Sequence, residues 1–253
     1  MKKTISTVFC CLFPILLFAQ ASGPQIYNLS FDDWSKSKGA WNLYPLKPSS
    51  DKKVWDSANH GLSLLGKNGA EPETEIVAVP GPGKKAARLH SEKVLWAFAA
   101  GNIYTGEFKR IINFSGAEIT LGTPFNGRPK SLSGYYYYIP KRVNYAREPY
   151  LWMKGKMDIG EIEVMLTDWD EPFHVITNDD QFVDMNDPHI IGHGKMKIKE
   201  ATDGYVHFEL NIDYRDGRVP KMVYITAASS YYGGYFTGGN GSTLYLDEFQ
   251  FNY

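Results

Sequence analysis

The sequence predicts an all-β fold, a two-sheet antiparallel sandwich of the jelly-roll kind, on three observations. Apolar and polar residues alternate in short segments, as in Tyr205-Val206-His207-Phe208-Glu209-Leu210, which is the two-residue period of a half-buried strand. No window of twelve residues carries a persuasive 3.6-residue apolar period, so amphipathic helices are not expected. Both ends read as strands: the opening NLSFDDW (Asn28–Trp34), and the close of the chain, where Leu244, Leu246, Phe249 and Phe251 alternate around a one-residue phase shift at Asp247-Glu248. Two terminal strands lying side by side close a sandwich and bring acids from opposite ends of the chain to one place.

Taken in order, the chain opens with MKKTISTVFCCLFPILLFAQA: two lysines, an apolar run from Val8 to Ala19 and the small-residue pattern Ala19-Gln20-Ala21. This reads as a secretory signal peptide over residues 1–21, followed by one domain over residues 22–253, because the run is too short to span a bilayer. The expectation is an exported protein, in the periplasm, on the outer surface or secreted, with no transmembrane segment in the mature chain. Cys10 and Cys11 are the only cysteines, and both lie in the leader. The mature domain therefore relies on its core, without disulfide or thiolate-bound metal. Its 232 residues suffice for one core, and loss of Lys2 and Lys3 takes the formal charge from −1 to −3, which gives no field for nucleic acid.

Pro45–Asp51, Gly66–Pro72 and Pro80–Gly83 read as surface loops. Strands are expected at Lys84–His90, Phe108–Ile112, Gly134–Ile139, Glu161–Thr167, His174–Thr177, Tyr205–Asn211, Lys221–Ala227 and Thr243–Asn252, with turns at Asp203-Gly204 and Asp216-Gly217.

The blocks AAGNIYTGEF (Ala99–Phe108), GTPFNGRPKSLSGYYYYIP (Gly122–Pro140), EIEVMLTDW (Glu161–Trp169), HIIGHG (His189–Gly194) and SSYYGGYFTGGNGSTLYLDEFQFNY (Ser229–Tyr253), with the NLSFDDW opening, resemble in order the "putative carbohydrate metabolism domain" family. The resemblance spans nearly the whole mature chain. It implies an exported jelly roll of galactose-binding-like type, from Gram-negative bacteria that live on complex glycans, with a role in carbohydrate use and no catalytic residues that carry over.

Several constellations could carry chemistry. Asp32 and Asp33 near the start, with Asp247 and Glu248 near the end, could supply a structural calcium, centred on Asp32 and Asp247; calcium takes six to eight oxygens at flexible geometry. The other reading is that these acids cap turns or pair with Lys and Arg. Glu161 and Glu163 share one face of a strand with side chains about 7 Å apart, a spacing open to a glycosidase pair or to a plain polar face. Some jelly-roll glycosidases resemble this acid-x-acid pattern but add a further glutamate, where this chain has Met165 and Leu166. His189 and His193 have the spacing of zinc helices, but Asp187-Pro188 and Gly192 favour a strand.

The aromatic load is high, with 17 Tyr and 6 Trp. Sugars stack their apolar faces on such rings while amides, acids and Arg take the hydroxyls. Trp55, Trp96, Trp152, Trp169, Tyr231 and Tyr232 lie near loops or strand ends and are the candidate ligand-binding rings. The function expected is carbohydrate binding in polysaccharide utilisation, with a polysaccharide or oligosaccharide as partner. The alternatives are a glycoside hydrolase or polysaccharide lyase using Glu161 and Glu163, and a structural or adhesive surface protein.

Overall fold

Alternation dictates the strands, and strands supply nearly all of the regular structure. The computed structural model describes residues 23–94, 97–112, 116–177 and 182–253; the predicted leader lies outside these. In chain order the strands are β1 (Ser35–Ser37), β2 (Ala40–Asn42), β3 (Trp55–Asp56), β4 (Ala70–Glu73), β5 (Ala86–His90) and β6 (Glu92–Val94). Then follow β7 (Ala97–Ala99), β8 (Asn102–Ile112), β9 (Gly116–Leu121), β10 (Thr123–Pro124), β11 (Ser131–Ile139) and β12 (Gly160–Thr167). The last six are β13 (Phe173–Ile176), β14 (Ile190–Ile198), β15 (Val206–Asn211), β16 (Asp213–Tyr214), β17 (Met222–Ala228) and β18 (Thr243–Asn252). One α-helical turn, α1 (Asn59–Leu62), and short 3-10 turns complete the description.

The strands form a jelly-roll sandwich of two antiparallel sheets. The larger runs β13-β9-β8-β17-β12-β14-β16, with β3 added to β8 and β10 to β17; the smaller runs β15-β11-β18-β5-β4. β1-β2 and β6-β7 are separate hairpins. Between the sheets, Ile162, Val164 and Leu166 of β12 and Val223, Ile225 and Ala227 of β17 face Leu132 and Tyr138 of β11 and Leu244, Leu246, Phe249 and Phe251 of β18. Each Val, Leu, Ile and Phe among them contributes roughly 1.5–3 kcal/mol by leaving water, which is how a domain without a disulfide holds together. Tyr138 is fully buried, so the Tyr135–Tyr138 run splits by parity, Tyr136 and Tyr138 inward and Tyr135 and Tyr137 outward.

The phase shift at Asp247-Glu248 is a β-bulge: register with β11 slips between Ser133 and Tyr135, and Glu248 sits at φ 49°. Gly134 lies opposite, where a Cβ would stand 2.5 Å from the Phe249 ring, so the bulge and the glycine are one device.

The NLSFDDW segment is not a strand. Asn28 and Phe31 have φ of 57° and 58°, left-handed values that break a pleat, and the segment turns on itself through Phe31 N–H to Asn28 O at 3.2 Å. It does lie against the last strand, as expected. Phe249 N donates to Leu29 O at 2.8 Å, the Gln25 amide bonds both backbone groups of Phe251, and the Phe31 ring meets Phe249 edge-on at 5.0 Å.

Candidate functional site

Parity sends Glu161 and Glu163 to the outer face of the larger sheet, opposite the core-facing Ile162 and Val164. The neighbouring strands then decide what they meet. In register with β12, β14 places Lys197 beside Glu161, Lys195 beside Glu163 and His193 beside Met165. On the other side β17 places Ala228, Thr226 and Tyr224, and beyond it Tyr104 of β8 pairs with Thr226.

The result is a bonded cluster. Glu163 Oε1 lies 2.7 Å from His193 Nε2, and its Oε2 accepts from Lys195 Nζ at 3.1 Å. The same ammonium reaches Glu161 Oε2 at 3.3 Å. Only 13 % of the Glu161 side chain is exposed, and 9 % of that of Glu163. Burial pushes the Glu161 carboxyl up to about 7, with Lys195 offsetting part of the effect and the charge of Glu163 adding to it. Glu163 is buried too, yet the bonds from His193 and Lys195 outweigh that and hold it below the usual carboxylate range. Two carboxyls two residues apart are thus split, one proton-holding near neutrality and one ionised.

An aromatic rim borders this cluster. Lys195 and Lys197 lie over the Tyr231 ring, at 5.0 and 3.9 Å from its centroid. Tyr231 meets Tyr232 edge-on at 4.7 Å, Tyr232 meets Trp152 at 5.9 Å and Tyr150 at 4.4 Å, and Lys156 lies over Trp152. Trp152 is 53 % exposed. It stands on the 3-10 turn Leu151–Met153, anchored by the buried Met153.

Asp158, fully buried, fixes the loop that carries the tyrosines. Its Oδ2 accepts from Ser230 Oγ at 2.6 Å, Gly239 N at 2.7 Å and Ser242 Oγ at 2.8 Å, while Tyr231 N donates to Ile159 O at 2.6 Å. Burial raises the Asp158 carboxyl despite these bonds. The other end of the same sheet face is closed by a second apolar cluster of Met165, Trp169, Ile190 and Met222, with Phe173, Val183 and Tyr224 packed on it.

The predicted site residues therefore separate. Glu161, Glu163, Trp152, Tyr231 and Tyr232 come together. Trp55 does not: it is fully buried, in edge contact with Phe31 and donating its Nε1–H to Tyr27 O at 2.9 Å, so it is core and not a stacking surface. Trp169 is 7 % exposed, lies on Phe173 and bonds Asp187, which withdraws it from ligand contact as well. Trp96 lies outside the described residues. His189 bonds Asp168 at 2.8 Å, in a turn before β14, while His193 bonds Glu163, so the histidine pair does not converge.

The terminal acids meet a lysine. Lys84 Nζ reaches Asp32 Oδ2 at 3.0 Å and Glu248 Oε1 at 2.5 Å. Asp247 points elsewhere, its Oδ2 accepting from Ala78 N at 2.7 Å. Among the described residues no group of three or more His, Cys, Asp or Glu is arranged to hold a metal. Asp32 and Asp247 do not converge on the six to eight oxygens that calcium takes: the Lys84 ammonium stands between Asp32 and Glu248, and Asp247 is turned to the Ala78 amide.

Lys195, Lys197, Tyr150 and Asp158 escaped the sequence reading, and His193 entered it only through the zinc-helix spacing with His189. The one available signal was the two-residue spacing in Gly192-His193-Gly194-Lys195-Met196-Lys197, which puts the His193, Lys195 and Lys197 side chains on one strand face.

No helix among the described residues is long and apolar enough to cross a membrane. No curated protein matches the chain. Two crystal structures share its fold, each described as "a putative glycoside hydrolase". The one from Bacteroides thetaiotaomicron superposes with a TM-score of 0.68 at 20% identity, covering 91% of this chain and 71% of that one. The one from Bacteroides vulgatus gives 0.62 at 17% identity, covering 87% and 94%. The sequence itself matches the family described as "Putative carbohydrate metabolism domain" over residues 30–252. With a match of that length, running from the turn beside the bulge to the last strand, the chain belongs to the putative carbohydrate metabolism domain family.

Proposed function

We propose that this protein is exported and binds a neutral or mildly acidic polysaccharide on the outer face of its larger sheet, without cleaving it. The observation that carries the reading is the meeting of Trp152, Tyr231 and Tyr232, from two loops distant in sequence, beside the Glu161–Lys195–Glu163 cluster. Rings at a rim offer flat apolar surface to pyranose faces, and acids and ammonium groups next to them bond the hydroxyls. A purely structural or adhesive surface has no use for such a pairing.

Hydrolysis is the second reading, favoured by the split between Glu161, pushed up to about 7, and Glu163, held low, the pattern of an acid and a base. Three features weigh against it. Both Glu163 oxygens are engaged, one ammonium clamps the two carboxyls together, and the position of a third strand acid holds Met165, which is packed in the second apolar cluster. The likeness to the two Bacteroides structures bears on fold and does not decide between the readings.

The test is affinity electrophoresis and a glycan array with the mature chain. Trp152→Ala and Tyr232→Ala should each weaken binding roughly tenfold without changing the melting temperature, since removing a stacked ring costs on the order of 1 kcal/mol. Release of reducing ends from any glycan, abolished by Glu161→Gln, would establish hydrolysis instead. N-terminal sequencing of the exported protein should find Ser22 or a near neighbour, and retention of residues 1–21 would reject export by cleavage.

A further inference from the structure

The rim of rings is also a row of cations. Lys156 Nζ lies 4.4 Å from the Trp152 centroid, Lys197 Nζ lies 3.9 Å and Lys195 Nζ 5.0 Å from that of Tyr231, and Arg147 lies over Phe236, at the end of the tyrosine loop, at 4.8 Å. Only Lys195 has acids to answer it, Glu161 and Glu163. Among the described residues Lys156, Lys197 and Arg147 form no ion pair, and all three are exposed. A cation over a ring face is placed but not neutralised, because the ring offers a quadrupole and no net charge.

The sequence concentrates this charge. Residues 141–157 carry Lys141, Arg142, Arg147, Lys154 and Lys156 against one acid, Glu148. The next acid, Asp158, is fully buried and turned inward to Ser230, Gly239 and Ser242. The excess stands on a mature domain whose formal charge is −3, so it is a local arrangement and not the average surface of a basic protein. The acids of the neighbouring cluster do not cancel it. Glu163 is ionised, but His193 and Lys195 already match it. Glu161 is the acid whose carboxyl feels Lys197, and burial keeps its proton on up to about pH 7, which leaves Lys197 uncompensated below neutrality.

We propose that the rim selects acidic polysaccharides, with Lys156 and Lys197 bonding carboxylate or sulfate groups of sugars that lie along Trp152 and Tyr232, and with Tyr231 as the positioning residue that seats Lys197. The inference rests on the glycan-binding reading above and narrows it. Geometry supports it: Trp152, Tyr232 and Tyr231 follow one another at 5.9 and 4.7 Å between centroids, with an unpaired ammonium at each end, so charge flanks the apolar path on both sides. A neutral chain leaves both ammonium groups without a partner, whereas an anion makes a charge-assisted hydrogen bond with each. Exposure keeps each bond modest, and a polymer with an anion on successive sugars engages both ends at once. Tyr231 has two ammonium groups over its ring, so it serves the cations, while Tyr232 and the exposed Trp152 serve the sugar.

Isothermal titration of the mature protein tests the proposal, at pH 6 and in 0.15 M NaCl, where attraction between exposed charges is screened beyond about 8 Å. Two matched pairs of hexasaccharides serve as probes: oligogalacturonate against its carboxyl-reduced form, and sulfated maltohexaose against maltohexaose. Each pair changes charge on one backbone, and the pair whose charged member binds at least tenfold more tightly names the anion. Lys156→Gln and Lys197→Gln should each weaken the charged member roughly fivefold and leave its neutral counterpart unchanged, while Trp152→Ala should weaken both. Tyr231→Leu should repeat the loss of Lys197→Gln, and Tyr231→Phe, which keeps the ring, should not. Lys47→Ala removes the same charge from an exposed position in the 45–51 loop and should change nothing. Equal affinity within both pairs overturns the charge selection and leaves the glycan reading in place. A preference for the charged member that neither lysine variant reduces overturns the site. Failure of all four hexasaccharides overturns the glycan reading and this inference with it; sedimentation with vesicles of phosphatidylcholine and phosphatidylglycerol at 3:1 would in that case make Trp152 and its lysines a membrane contact.

Discussion

The two outer faces of the sandwich follow the same alternation, and each buries a carboxyl that is pushed upward, but they handle it in opposite ways. On the larger sheet Glu161 shares Lys195 with Glu163, and the cluster opens onto exposed rings. On the smaller sheet Tyr137 stacks on Tyr245 at 5.4 Å and Tyr135 meets His207 at 5.2 Å, with Asp247 beside Tyr135 in register. That tyrosine ladder has a roof: Tyr205 donates to Ile76 O at 2.9 Å and Ala78 N donates to Asp247. Side chains neutralise the acid on one face, and backbone amides hold it on the other. An acid paired to a movable ammonium can exchange that partner for a ligand hydroxyl, whereas an acid pinned by a loop amide ties down structure.

Titration should divide the faces most strongly. The folded state holds the Glu161 proton up to about pH 7, while an unfolded glutamate releases it near 4.5. The folded state thus binds more protons between these values, and stability falls as pH rises from about 4.5 to 7, by about 3 kcal/mol in all. Burial raises Asp247 from 3.8 to about 6, so its share of the loss falls lower, between about pH 4 and 6. Urea melts across this range should flatten for Glu161→Gln at the upper end and for Asp247→Asn at the lower; an unchanged slope in both variants would remove the distinction.

Lys195→Ala leaves two buried carboxyls without their cation and should cost about 2 kcal/mol at pH 7, less than in a sealed interior because Lys195 stays partly in solvent. The corresponding change on the other face, Arg88→Ala, breaks a 3.2 Å pair with Glu71 in which both partners are about one-third exposed. It should cost under about 1 kcal/mol. Equal losses in chemical denaturation would show that the two faces are energetically alike.

Binding should sharpen the contrast further. Trp152→Ala on the rim should weaken polysaccharide binding roughly tenfold, and Tyr137→Ala under the roofed ladder should leave it unchanged in the same electrophoresis. A loss with Tyr137→Ala would move the glycan to the smaller sheet. The smallest effect is expected from Asp247→Asn at pH 7. It removes a buried charge whose Oδ1 has no partner among the described residues, and should raise stability by up to about 1 kcal/mol.

What the sequence alone determined is what depends on neighbours along the chain. A period of two put Ile162 and Val164 inside and Glu161 and Glu163 together outside, split the Tyr135–Tyr138 run between the faces, and marked the bulge at Asp247-Glu248, because parity on a pleated strand is a local property. The segments for β12, β17 and β18 were legible to within a residue or two for the same reason. The NLSFDDW segment misled since its apolar spacing is also that of a turn, and only the left-handed Asn28 and Phe31 tell the two apart.

Tertiary structure alone decided the site. Whether Lys195 lies across from Glu163 depends on which strand pairs with β12 and in what register, a choice made between segments some thirty residues apart. The same applies to Trp152 meeting Tyr232 across two loops, to Lys84 reaching Asp32 and Glu248 where calcium was expected, and to Trp55 sinking into the core while Trp152 stands in solvent. All six tryptophans look alike in sequence. Exposure is a property of what packs on a ring from elsewhere in the chain, and that is set by the sandwich as a whole.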